Sequence, residues 1–112
     1  MEIEKKTEVP GIKNEQLIML VEILGYFDRI QYAVIYGSRV TGKHKPDSDL
    51  DVALSVLHPK SFCLSDIQDS LCSLVLERIG LEPHLKVIEE IHNPDLLHSI
   101  EHEGLLIYRK RQ

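Results

Sequence analysis

Gly37-Ser38-Arg39-Val40-Thr41-Gly42-Lys43-His44-Lys45-Pro46-Asp47-Ser48-Asp49-Leu50-Asp51-Val52 is the stretch on which the reading of this chain turns. Just before it, Tyr32-Ala33-Val34-Ile35-Tyr36 is a short apolar run of strand formers that stops at Gly37, so it reads as a buried strand. Just after it, Leu50, Val52, Leu54 and Val56 alternate with Asp49, Asp51, Ala53 and Ser55. That period of two predicts a strand with one face buried and the other committed elsewhere. Gly37, Gly42 and Pro46 make the intervening segment a loop with a short helical turn. A Gly-Ser pair at a strand-to-turn junction lets backbone N–H groups approach an anion with no Cβ in the way, and Ser38 adds a hydroxyl donor. Arg39, Lys43 and Lys45 bring positive charge, Arg39 being the foremost candidate. Asp49 and Asp51 point to one face, with carboxylates roughly 6–7 Å apart. Two such carboxylates repel unless a hard cation joins them, and Mg²⁺ is typically held by one or two carboxylates together with substrate phosphates. A phosphate cradle beside a carboxylate pair therefore points to metal-assisted phosphoryl chemistry on a nucleoside triphosphate.

Outward from this centre, Leu17, Leu20, Val21 and Leu24 recur at helical spacing, with Asn14 as the expected N-cap and Gly25 as the stop. Ser65 and Gln68 have the spacing of a capping box ahead of Ile67, Leu71, Leu74, Val75 and Ile79, which predicts a helix over 66–79 closed by Gly80. Residues 84–89 (HLKVIE) read as a third strand. Asn93-Pro94 reads as an N-cap followed by proline in the first helical position, and Gly104 ends that helix. Leu105-Leu106-Ile107-Tyr108 is a closing strand or extended tail. These elements predict an α/β (α+β) domain: a small mixed β-sheet flanked by helices. Residues 1–12 are expected to be a flexible arm and residues 13–112 a single domain.

At 112 residues, one core suffices, and about two thirds of the unfolded surface can be buried. The formal net charge of −5 argues against a general nucleic-acid binder, since proteins that grip phosphate backbones are usually basic. No apolar run approaches the roughly 18 residues that span a bilayer. The charged start lacks a secretory h-region. Cys63 and Cys72 fit no common zinc spacing and are expected to be free, buried thiols of a cytoplasmic protein.

Competing readings are weaker. Asp47, Asp49 and Asp51 resemble the start of a calcium loop, but Val52 and His58 stand where such a loop needs Gly and Glu. His98 and His102 are four apart on a predicted helix without an HExxH pattern, so they read as a solvated face. Ser38 lacks the flanks of a serine nucleophile.

Gly37-Ser38, ten intervening residues and Asp49-Leu50-Asp51 resemble the GSx10DxD signature of the minimal nucleotidyltransferases of the DNA polymerase β superfamily. Asn93, Pro94, Leu96, Leu97, Ile100, Glu103, Gly104 and Tyr108 also resemble small members of that family, and the similarity covers nearly the whole chain from Asn14. The resemblance implies the nucleotidyltransferase fold. It implies that Gly37 and Ser38 hold the β- and γ-phosphates and that Asp49 and Asp51 hold two Mg²⁺; Arg39 and Lys43, by their positive charge, are expected on the nucleotide as well. An acceptor hydroxyl would attack the α-phosphorus of an NTP such as ATP, and pyrophosphate would leave. The resemblance further implies an antitoxin role beside a HEPN-domain partner, with a tyrosine of the partner as acceptor, or else association with a second copy of the chain. One departure stands out. Active relatives usually carry a third carboxylate on the next core strand, whereas here the position falls on His84, or on Lys86 with a shift of two. His84 could serve as a base. The alternative reading is a degenerate nucleotide- or partner-binding module with little transfer.

Overall fold

The computed structural model describes residue 9, residues 11–41 and residues 49–111. Helix α1 (Asn14–Leu24) is followed by strand β1 (Ile30–Tyr36), a single helical turn α2 (Ser38–Thr41) and strand β2 (Leu50–Val56). Helix α3 (Ser65–Ile79), strand β3 (Pro83–Val87), helix α4 (Pro94–Glu103) and strand β4 (Leu105–Arg109) complete the order. The four strands form one mixed sheet in the order β3-β2-β1-β4. β1 runs antiparallel to both β2 and β4, while β2 and β3 are parallel. The parallel pair requires a crossover, and α3 supplies it.

The apolar periodicities explain the layers. Leu17, Leu20, Val21 and Leu24 of α1 and Leu71, Val75 and Ile79 of α3 turn towards one face of the sheet, where Ala33, Ile35, Leu50, Val52, Leu54, Val56 and Ile107 meet them. Val9, within the stretch expected to be an arm, is buried in this core, and Ile12 N–H donates to its carbonyl at 3.0 Å. The opposite face carries a smaller cluster of Val34, Tyr36, Ala53 and Ile100, closed by α4. β2 is therefore covered on both sides. On its second face Ala53 packs with Ile100 of α4 and with Ile88 of the 3₁₀ turn Ile88–Glu90.

Helix ends show where local chemistry holds and where it yields. Asn93 Oδ1 accepts from Asp95 N–H and Leu96 N–H at 2.9 and 3.3 Å, so the expected cap of α4 forms. Asn14 does not cap α1. The helix starts one residue earlier than that cap requires, and Gln16 Oε1 accepts from Lys13 N–H at 2.8 Å. Gln16 Nε2 also donates to the Ile79 carbonyl at 2.9 Å, tying the start of α1 to the end of α3. The Ser65–Gln68 capping box does not form either. Ser65 already lies inside α3, its Oγ is 3.0 Å from Cys63 Sγ, and Gln68 N–H donates to the Leu64 carbonyl.

The third strand is shorter than expected, since Ile88–Glu90 turn away from the sheet. That turn lets the Glu89 carboxylate accept from Ser55 Oγ and from Val56 N–H, closing the far end of β2. Among the described residues no helix is long and apolar enough to cross a membrane.

Candidate active site

Strand pairing places the chemistry in one row. Asp51 on β2 lies opposite Tyr36 on β1 and opposite His84 on β3. Residues paired in this way share a face, and so do residues two apart on one strand. Asp49 and Lys86 therefore join Tyr36, Asp51 and His84 on the side of the sheet that carries α4. The His84 imidazole confirms this placement for the acids: Nε2 is 3.0 Å from Asp49 Oδ2, and Nδ1 is 3.8 Å from Asp51 Oδ1.

Gly37 closes the row at the end of β1. Its φ of +83° suits glycine, and an ideal Cβ there would stand 2.5 Å from Asp51 Oδ2. The glycine–serine turn and the aspartate carboxylate thus border the same hollow. Val40 N–H donates to the Gly37 carbonyl at 3.1 Å, which starts the turn of α2. Ser38 opens that turn at partial exposure. Arg39, expected at the nucleotide, is only 2% exposed, so its guanidinium lies inside the protein rather than open to solvent. Lys43, together with Lys45 and Ser48, falls outside the described residues.

Burial raises the pKa of the Asp51 carboxyl above the usual aspartate range. The His84 and Lys86 side chains pull it back down, and Asp49 adds to the rise. Burial, with the Asp51 charge second, pushes the Tyr36 hydroxyl up to about 12, so it stays protonated at neutral pH. Tyr36 reads as an ordinary core aromatic in the sequence. Its place beside Asp51 follows only from the β1–β2 register, which a single sequence does not display. Lys86 was legible as sharing a face with His84, but its influence on Asp51 needs the parallel β2–β3 pairing.

The site is open. The side chains of His84, Asp49 and Asp51 are 63%, 43% and 29% exposed, which leaves room for a large polar ligand. A cleft of about 330 Å³ between α3 and the edge strand β3 adjoins the acids, lined by Asp51, Gln68, Cys72, Glu82, His84 and Lys86 among others. Among the described residues, no three His, Cys, Asp or Glu side chains converge into a ready-made metal centre. The acids nevertheless fit a divalent cation. They are hard oxygen donors on one face, and burial, with the Asp49 charge adding to it, raises the Asp51 pKa, a penalty on the charged form that a bound cation would offset. Phosphate oxygens of a substrate would complete such a coordination shell.

A model of the polymerase beta nucleotidyltransferase domain matches residues 19–112. The chain belongs to this nucleotidyltransferase family. No curated protein sequence matches it significantly. Solved structures share the fold at low identity. A toxin–antitoxin crystal structure with AMP-PNP superposes with a TM-score of 0.63 at 17% identity, covering 90% of this chain and 77% of that one. The MntA–HepT toxin–antitoxin gives 0.61 at 12% identity over 84% of this chain and 70% of that one. A Sulfolobus solfataricus protein described as a nucleotidyltransferase gives 0.50 at 16% identity, over 95% and 94%. Of the two positions at which a third carboxylate was expected, His84 pairs with Asp51 and Lys86 lies two residues further along β3.

Proposed function

We propose that this chain moves a nucleoside monophosphate from a nucleoside triphosphate, with ATP as donor and Mg²⁺ as cation, to a hydroxyl acceptor. The observation that supports it best is the shared hollow of Gly37 and the Asp49–Asp51 pair. In this reading the acceptor hydroxyl gives up its proton to solvent as its oxygen bonds to the α-phosphorus, the α–β bridging P–O bond breaks, and pyrophosphate leaves. Bound divalent cations offset the charge of the phosphates and of the attacking and leaving oxygens. Asp49 and Asp51 hold those cations, Gly37 and Ser38 receive the outer phosphates, and His84 lies beside Asp49 on the acceptor side. The protonated Tyr36 adds no further negative charge to the row.

The structural neighbours supply the biological setting of the proposal. Several are toxin–antitoxin proteins, one with AMP-PNP and one carrying Asp-to-Glu changes at two positions two apart, the spacing of Asp49 and Asp51. On that basis this chain acts as the antitoxin of a pair, its acceptor a tyrosine of a HEPN-domain partner. The openness of the site fits an acceptor delivered by another protein or by a second copy of this one. A second reading is a module that holds nucleotide or partner with little turnover, favoured by His84 standing where an acid would activate the acceptor.

The test is incubation with labelled ATP, Mg²⁺ and the candidate partner beside an Asp49→Asn/Asp51→Asn control. Label on the partner that disappears with the control supports transfer. Nucleotide binding without transfer, across several partners and all four bases, supports the module.

A further inference from the structure

We propose that His84 is itself a ligand of the cation held by Asp49 and Asp51, and that this nitrogen donor shifts the site from Mg²⁺ towards a borderline first-row ion such as Co²⁺ or Zn²⁺. The inference rests on the nucleotidyltransferase reading for the site itself, but concerns which ion the site prefers. His84 is paired with Asp51 across the parallel β2–β3 ladder, so its side chain is fixed on the face of the acids by the register of the sheet. Its Nε2 lies 3.0 Å from Asp49 Oδ2. Two donors that each sit about 2.0–2.2 Å from one ion are separated by roughly 3.0–3.5 Å, so this spacing suits a shared cation with little movement of either side chain. Nδ1 faces Asp51 at 3.8 Å, so a small rotation of an exposed ring can offer either nitrogen.

Ligand chemistry then sets the preference. Mg²⁺ favours oxygen donors in a near-octahedral shell and is bound poorly by imidazole. Imidazole suits Zn²⁺, Co²⁺ and Ni²⁺, and mixed imidazole–carboxylate sets rise in affinity along the Irving–Williams order. Lys86, the next residue of β3 on that face, offers no carboxylate to restore an all-oxygen set.

The experiment uses the full chain in a His98→Ala/His102→Ala background, because those neighbouring rings, with centroids 4.1 Å apart on α4, could bind a transition ion themselves. Affinities for Co²⁺ and Mg²⁺ are measured by calorimetry without nucleotide, and Co²⁺-induced paramagnetic shifts are read on the His84 ring protons by NMR. The expected result is strong Co²⁺ preference over Mg²⁺, a shifted His84 ring, and a Co²⁺/Mg²⁺ affinity ratio that falls at least about tenfold in His84→Asp. The His84→Gln variant should lose Co²⁺ affinity and keep Mg²⁺ affinity. An unchanged ratio in His84→Asp, or an unshifted ring under saturating Co²⁺, overturns the assignment. Loss of labelled-ATP transfer with the His84-dependent preference intact would instead sink the transfer reading and leave this one standing.

Discussion

The carboxylate of Asp51 fills the space that a side chain on residue 37 would need: an ideal Cβ on Gly37 would lie 2.5 Å from Asp51 Oδ2. The glycine is required twice over, by its φ of +83° and by this contact. Gly37→Ala should therefore cost about 1–3 kcal/mol of stability from the left-handed backbone alone. It should also push the Asp51 carboxylate out of the hollow and weaken nucleotide binding beyond what the loss of stability explains. Urea unfolding and nucleotide titration of the same variant separate the two effects.

Asp51 is held at a cost. Burial raises its pKa, Asp49 adds to the rise, and His84 with Lys86 only partly offsets it. An ionised carboxylate that the fold disfavours subtracts from stability, and it does so more as pH rises from the ordinary aspartate range through the raised value. Asp51→Asn should raise the melting temperature in chelator at neutral pH, yet abolish the rise that divalent cation and nucleotide give the parent protein. Thermal unfolding with and without both ligands reads this out. A melting temperature lowered by the substitution in chelator would contradict it.

At the other end of β2, Glu89 accepts from Ser55 Oγ and from Val56 N–H, and Ser55 is buried. Glu89→Ala strands both donors and should cost about 1–3 kcal/mol. Because Ser55 and Val56 lie at the far end of the strand from Asp49 and Asp51, nucleotide affinity of the folded variant should be unchanged. Chemical denaturation and a binding isotherm test the pair of outcomes.

The two thiols should react in order. Cys63 is exposed, whereas Cys72 is half-buried and its thiol is pushed up by burial and by the nearby Glu82 and Asp69 carboxylates. Only the thiolate attacks an alkylating agent, so Cys72 should lag behind Cys63 and need more alkaline solution. Mass spectrometry of iodoacetamide-treated protein across pH follows both sites. Cys63 was expected to be buried, and its exposure corrects that expectation: it lies in the turn before α3, outside the apolar stripe of that helix.

The strands, the long helices and the Asn93 cap were legible because their signals are local: a period of two, a period near 3.6, and an asparagine followed by proline. The start of α1 was not, because Gln16 satisfies Lys13 N–H in place of an Asn14 cap. The early end of β3 was not, because it serves a distant partner, the end of β2. In the site, the spacing of Asp49 and Asp51 placed them on one face, and His84 was expected on the neighbouring strand. The lateral row that unites Tyr36, Asp51 and His84 comes from strand register, a long-range property carried by no short segment. Arg39 read as a cation reaching the nucleotide, and only the packing around α2 shows that it is buried.

A cation-bridged nucleotide seated between the Gly37 turn and the Asp49–Asp51 pair would need both the cation and the two acids. Calorimetric titration of a non-hydrolysable ATP analogue, with and without divalent cation, into the parent chain and the Asp49→Asn/Asp51→Asn variant tests it most directly. Binding to the parent chain should need the cation and should be at least about tenfold weaker in the variant. Equal affinity in both proteins, or binding indifferent to the cation, would contradict it.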